Sequence, residues 1–215
     1  MSEVQIRAGR AVLPGNLNIP KDATALVLFA HGSGSSRHSP RNQFVARTLN
    51  EAGLATLLFD LLTPEEETID MQTREHRFNI QLLAERLVEA TKWTGQQEQA
   101  SNLRTGYFGS STGGAAALVA AADAPQDVRA VVSRGGRPDL ADKALPKVQA
   151  PTLFIVGGND NIVIELNEQA RDTMRCEAKL EIIPGATHLF EEPGALGKVA
   201  QLASDWFVKH IGSGG

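Results

Sequence analysis

The chain has 215 residues, 42% hydrophobic and 21% charged, with a net charge of -4 and no long run of like charge. That length suits one substantial core better than two, and an acidic balance without a basic patch argues against nucleic acid as a partner. No apolar run approaches the roughly 20 residues that cross a bilayer, Met1 to Arg10 lacks the apolar stretch of a secretory signal, and the single cysteine excludes an internal disulfide. The expectation is a cytoplasmic protein with no membrane partner, one domain over residues 1–211, and a disordered glycine-rich tail at 212–215.

Gln5 to Asn18 reads as an antiparallel hairpin at a sheet edge, turning at Pro14-Gly15. From Ala23 onward, short apolar runs alternate with segments of helical period. This is the α/β pattern of a mostly parallel sheet covered by helices on both faces. The strands are expected at Ala25 to Ala30, Ala55 to Asp60, Thr105 to Gly109, Arg129 to Ser133, Thr152 to Gly157 and Lys179 to Ile183, about eight in all with the hairpin. Helices are expected at Arg41 to Ala52, Thr73 to Trp93, Gly114 to Ala122, Ile164 to Arg175 and Ala195 to His210. Cys176 then falls at a helix end, and its expected role is structural.

Polar and glycine-rich loops follow several strands, where open α/β sheets bind ligands. Gly109-Ser110-Ser111-Thr112-Gly113 lies between a strand and an alanine-rich helix, so it reads as a sharp turn with Ser111 at its apex. The pentapeptide alone recurs by chance; its surroundings carry the case. A serine nucleophile requires a base, usually a histidine oriented by a carboxylate. Only His188 and His210 follow Ser111, and His210 closes the last helix, whereas His188 sits in the loop after the last strand. Asp160 leaves the strand Thr152 to Val156, the expected place for the carboxylate. Its alternative reading is a helix cap, a role Asn159 could also fill. Asp139, Asp142 and Glu165 fit the strand-end position less well.

Two backbone N–H groups should face the oxyanion: that of Thr112 and, from the loop His31-Gly32-Ser33-Gly34-Ser35-Ser36, that of Ser33. A phosphate-binding glycine loop is the competing reading, but the Lys-Ser/Thr of a P-loop and the third glycine of a dinucleotide fingerprint are missing. His31 is expected to support the loop by hydrogen bonding.

With these residues in this order, the chain resembles the α/β-hydrolase superfamily, and within it the dienelactone-hydrolase-like group, including hydrolase domains found fused to phosphoribosyltransferases. The resemblance spans nearly the whole chain and is closest at His31 to Asn42, Leu54 to Glu67, Gly106 to Gly114, Val131 to Leu140 and Pro184 to Pro193. It implies an eight-stranded sheet, a Ser111-Asp160-His188 triad, and no metal or organic cofactor. Dienelactone hydrolases proper carry cysteine as nucleophile, so what carries over to a serine at 111 is ester hydrolysis as a class. Only about a dozen residues, Arg137 to Gln149, separate two strands where larger relatives insert a cap, so no large lid is expected. That suits small soluble esters, lactones included. Thioesterase, peptidase or acyltransferase chemistry on the same triad is the alternative, as is a non-catalytic binding protein on this fold. Arg134 and Arg137 are candidates to bind a substrate carboxylate, with surface ion pairs as the other reading. Arg37, His38 and Arg41 carry the same two readings. Monomer and homodimer are equally compatible with the sequence.

Overall fold

The computed structural model describes residues 1–212. Eight strands form one sheet in the order β1-β2-β4-β3-β5-β6-β7-β8. They are β1 (Ser2–Ala8), β2 (Ala11–Asn18), β3 (Ala25–Ala30), β4 (Ala55–Phe59), β5 (Arg104–Ser110), β6 (Val128–Arg134), β7 (Thr152–Gly157) and β8 (Ala178–Ile183). The β1–β2 and β2–β4 pairs are antiparallel, and all other pairs are parallel. Internal parallel strands are covered on both faces and so need continuous apolar runs. Accordingly β3, β4 and β7 are buried along their whole length.

Six α-helices follow in chain order: α1 (Pro40–Glu51), α2 (Pro64–Thr73), α3 (Ile80–Gly95), α4 (Thr112–Asp123), α5 (Asn161–Thr173) and α6 (Ala195–Phe207). On one face α1 and α6 pack Val45, Leu49, Val199 and Phe207 against Phe29, Phe108 and Val132. On the other, α3 and α4 pack Leu83, Leu87, Ala117 and Leu118 against Leu28, Tyr107 and Val131. No helix among the described residues is long and apolar enough to cross a membrane.

The structure corrects several sequence expectations. The hairpin turns at Gly9-Arg10, and Pro14 and Gly15 lie within β2, opposite Gln5 and Val4. Pro14, which has no N–H to donate, stands one residue beyond the β2–β4 pairing, and its carbonyl accepts the Asp60 N–H. Cys176 lies in the loop before β8, half-buried. Gly212 ends a π-helical turn and its carbonyl accepts the Thr24 hydroxyl; the remaining tail, 213–215, is outside the described residues.

The expected helix Thr73 to Trp93 begins only at Ile80, as α3, and a separate helix with no counterpart among the expected elements, α2, precedes it. Thr63 and Glu66 make a capping box, with Pro64 in the first turn, and so start α2. Arg74, in the left-handed region at φ 60°, ends it. Asp70, 1% exposed, then organises the connection to α3. Its carboxylate accepts the His76 N–H (2.8 Å), the Arg77 N–H (2.9 Å) and Arg77 Nε (2.5 Å). Burial opposes its ionisation, but these donors and the guanidinium charge outweigh that, and its pKa lies below the usual range. A lowered folded-state pKa stabilises the fold above the unfolded value of about 3.9, and that contribution is lost as pH falls through the folded value. Asp70→Asn should therefore cost about 2 to 3 kcal/mol at neutral pH, below the range for a fully buried pair because Arg77 keeps 20% side-chain exposure. Urea denaturation should show a gap from the parent protein that narrows below about pH 4; identical midpoints at pH 7 would contradict the assignment.

Candidate active site

Between β5 and α4 the backbone reverses in a single residue. Ser111 sits at φ 53° and ψ -122°, a conformation that costs a non-glycine residue about 1 to 3 kcal/mol. Its neighbours must be small for steric reasons. A Cβ on Gly109 would lie 2.4 Å from the Gly113 carbonyl oxygen, and one on Gly113 would lie 2.1 Å from that of Ala30. The turn is braced from β6: the Ser111 N–H donates to the Arg134 carbonyl, and the Arg137 N–H donates to the Ser111 carbonyl, both at 3.2 Å. Ser110 is buried, whereas Ser111 retains solvent access, which separates the two adjacent serines.

Asp160 and His188 come together at the ends of neighbouring strands. Asp160 occupies the N-cap position of α5 but makes no side-chain cap bond. Its Oδ2 lies 2.6 Å from His188 Nδ1 instead. With the carboxylate ionised, Nδ1–H is the donor and the lone pair on Nε2 is left free. Asn159 does not cap either. Its side chain donates to the Gly185 carbonyl and its N–H to that of Ala186, which fastens the Asp160 loop to the His188 loop. Buried Phe190, at φ 56°, anchors the far side of that loop. Gly135 connects the two halves of the site. It follows the residue that holds the Ser111 N–H, and a Cβ there would stand 3.4 Å from His188 Cε1.

The loop after β3 supplies the third wall. His31 Nε2 accepts the Leu61 N–H at 3.1 Å, so Nδ1 carries the proton that is donated to the Gly32 carbonyl at 3.0 Å. Burial lowers its pKa, so the ring stays neutral and acts as a brace. Gly32 faces Ser111, its ideal Cβ position being 3.2 Å from Ser111 Cβ. The Ser33 N–H is occupied: it donates to Thr112 Oγ1 at 3.0 Å. The two hydroxyls are 2.9 Å apart, and Ser33 Oγ donates to the Arg77 carbonyl at 3.3 Å. Thr112 thus bears both its own N–H, in the first turn of α4, and the hydroxyl that covers the second expected donor. This contact was invisible in the sequence.

The arginines around the site differ in their partners. Arg37 is committed to Asp60 through an ion pair, and its N–H donates to the same carboxylate at 2.7 Å, so it holds the loop to the end of β4 and is not free for substrate. Arg137 clasps Asp139 through two bonds of 2.9 and 2.7 Å. Arg41, in the first turn of α1, reaches Glu191 at 3.3 Å across exposed surface. His38 is exposed. Arg134 is 8% exposed, and its Nε and Nη1 are buried without a hydrogen-bond partner among the described residues. Burial, and then the charge of Arg41, lower its pKa to about 10, which leaves it cationic at neutral pH.

His210 lies outside this constellation, stacked on Trp206 at 4.3 Å and 3.8 Å from Glu177. A cavity of about 670 Å³ lies beside the loop after β3, lined by His31, Ser35, Arg37, Asp60, Thr63 and Glu67. None of Ser111, Asp160 and His188 lines it. The edge above Ser111 is left uncovered by the β6–β7 connection, which contains only two short 3-10 turns, Pro138–Leu140 and Asp142–Lys147.

Comparison with known proteins agrees with this architecture. The model of the dienelactone hydrolase family matches residues 13–210. A solved dienelactone hydrolase from Anabaena variabilis is 61% identical, with a TM-score of 0.96 over 98% of this chain and 97% of that one. Est1E from Butyrivibrio proteoclasticus, 17% identical with a TM-score of 0.82, covers 97% of this chain and 98% of its own and shares the fold. A Mycobacterium tuberculosis H37Rv protein named "Putative phosphoribosyl transferase" is 56% identical over 97% of this chain. This chain spans 46% of that relative, about half its length. The chain belongs to the dienelactone hydrolase family and has the α/β-hydrolase fold.

Proposed function

We propose that this protein is a serine hydrolase of small carboxylic esters, lactones included. The observation that carries the reading is the Asp160–His188 pair at 2.6 Å, set across Gly135 from the strained Ser111. Ser111 Oγ attacks the ester carbonyl as His188 Nε2 takes its proton, and Asp160 stabilises the imidazolium that forms. The negative oxygen of the tetrahedral intermediate takes the Thr112 N–H and shares the Ser33 N–H with the Thr112 hydroxyl, which orients that donor. Collapse breaks the C–O bond, His188 returns the proton to the departing alcohol, and water then repeats the sequence on the acyl-enzyme. The short β6–β7 connection favours small substrates that enter from an open edge. We assign phosphoribosyl transfer to the half of the longer relatives that this chain does not match.

Ser111→Ala should lower kcat/KM for 4-nitrophenyl acetate by about 10³ or more and should abolish labelling by a fluorophosphonate. Labelling that survives the substitution would move the nucleophile elsewhere, and a parent protein with neither burst nor turnover would favour a binding role. A proton on His188 Nε2 removes the base, so activity must fall toward acid, and a rate that rises on acidification counts against the mechanism. Thr112→Val removes the hydroxyl that holds Ser33, and kcat should drop about tenfold with KM little changed, whereas Thr112→Ser should stay close to the parent. Steady-state kinetics on the two variants decide this, since equal losses would remove the hydroxyl from the account.

A further inference from the structure

We propose that Arg134 and Arg41 form a subsite for a phosphate group carried by the substrate, so that the ester cleaved at Ser111 is a phosphorylated one. The inference rests on the serine-hydrolase reading and names the substrate class of that site. Of the arginines along this edge, Arg37 and Arg137 are each held by a carboxylate, and Arg41 has one long contact to Glu191, whose side chain is 66% exposed. Arg134 has no carboxylate within ion-pairing distance among the described residues. Its aromatic neighbour is Phe190, 5.9 Å from the guanidinium carbon. Buried guanidinium nitrogens without a partner are costly and call for an explanation; Arg37, Arg41 and Arg86 each leave only Nε in that state, whereas Arg134 leaves two nitrogens.

The position connects this cation to the chemistry. The carbonyl of Arg134 holds the Ser111 N–H, and the ring under its guanidinium lies two residues beyond His188. Arg41 stands in the first turn of the helix that follows the oxyanion loop, at the positive end of that helix. The subsite therefore adjoins the acylation site between the His188 loop and α1. Charge selects the ligand. Against two guanidinium groups, one of them in the first turn of α1, stands a single long contact, from the exposed Glu191 to Arg41, which the arriving group would displace into water. A monoanionic carboxylate would leave a cation unmatched, whereas the dianion of a phosphate monoester balances both, and its three terminal oxygens can engage both forks. Only the carboxylic C–O bond breaks, by attack of Ser111 and then water. The phosphate keeps all its bonds and serves as the handle.

The test compares 4-nitrophenyl 3-(phosphonooxy)propanoate, 4-nitrophenyl hemisuccinate and 4-nitrophenyl butanoate for a phosphate on the acyl side, and 2-acetoxyethyl phosphate with ethyl acetate for the alcohol side. In one of the two series, kcat/KM for the phosphorylated ester should exceed that of the uncharged ester by roughly 30-fold or more, with hemisuccinate in between. Arg134→Gln should collapse that ratio and Arg134→Lys should restore part of it. Equal rates for phosphorylated and uncharged esters in both series, or a ratio untouched by Arg134→Gln, would overturn the proposal, and parity between hemisuccinate and the phosphorylated acyl ester would overturn the choice of phosphate. If Arg134→Gln fails to fold, Arg41→Gln should reduce the same ratio, and inorganic phosphate should compete with 4-nitrophenyl butanoate in the parent protein. Calorimetric titration of Ser111→Ala with inorganic phosphate separates the two readings. Binding there without serine labelling of the parent would sink the hydrolase reading alone, and no binding beside intact hydrolysis of uncharged esters would sink the subsite alone.

Discussion

The close approach of α4 to the end of β3 is the constraint on which the site depends. With Gly113 against the Ala30 carbonyl and Gly109 against the carbonyl of Gly113, the strand, the turn and the helix share a space that admits no side chain. That crowding forces Ser111 into its positive-φ conformation and sets it at the head of the helix, with the Thr112 N–H beside it. It also brings β3 near enough for its following loop to touch the turn, through Gly32 and through the Ser33–Thr112 bonds. The positions of Ser111 and of the Thr112 and Ser33 N–H groups are therefore consequences of one packing event. The alanine-rich sequence of α4 is what lets it pack this closely, since ten of its residues are buried and none is larger than leucine.

The remaining groups are positioned by fastening loops to one another. Asn159 binds the loops after β7 and β8, Gly135 abuts His188, and Asp70 fixes Arg77, whose carbonyl receives the Ser33 hydroxyl. A path of short contacts thus runs from α2, which is remote in sequence, to the loop after β3. The long β4–β5 connection occupies the place in the chain where α2 can do this. The β6–β7 connection stays short, with two 3-10 turns.

Which parts of this were legible in the sequence follows from the kind of interaction involved. The bounds of β3 and β7 could be read to the residue, because internal parallel strands demand apolar runs and turn residues end them abruptly. The pairing of Asp160 with His188 was legible because both stand in loops that leave the ends of neighbouring strands. The helix α2 was missed because only Asp70 of its ten residues is buried, so it carries no apolar stripe; its signal was the Thr63-Pro64-Glu65-Glu66 start. The hairpin was misplaced because Pro-Gly ordinarily marks a turn, whereas here the proline stands just past the reach of the neighbouring strand. The Thr112 hydroxyl on Ser33, and the sorting of arginines into paired and unpaired, depend on distances between segments far apart in the chain. No local pattern encodes them.

Several local costs meet at one end of the sheet. Ser111 and Phe190 hold positive φ, and among the described residues Arg134 lacks partners for two buried nitrogens and Ser133 for its buried Oγ, all at the ends of β5 and β6 or in the loop packed on them. Asp70, Thr91 and His31 are satisfied, while Arg86 and Asn167 each keep one buried atom without a partner. Strain and unpaired polar groups at a candidate site are costs that a bound group can offset. An anion that reaches Arg134 recovers a desolvation cost already incurred in folding, so part of its binding energy becomes available to hold the reacting ester against Ser111. Recognition remote from the scissile bond would then contribute to rate as well as to affinity, and the two serines at the turn differ accordingly: Ser110 packs in the sheet beside Arg134, and Ser111 keeps solvent access.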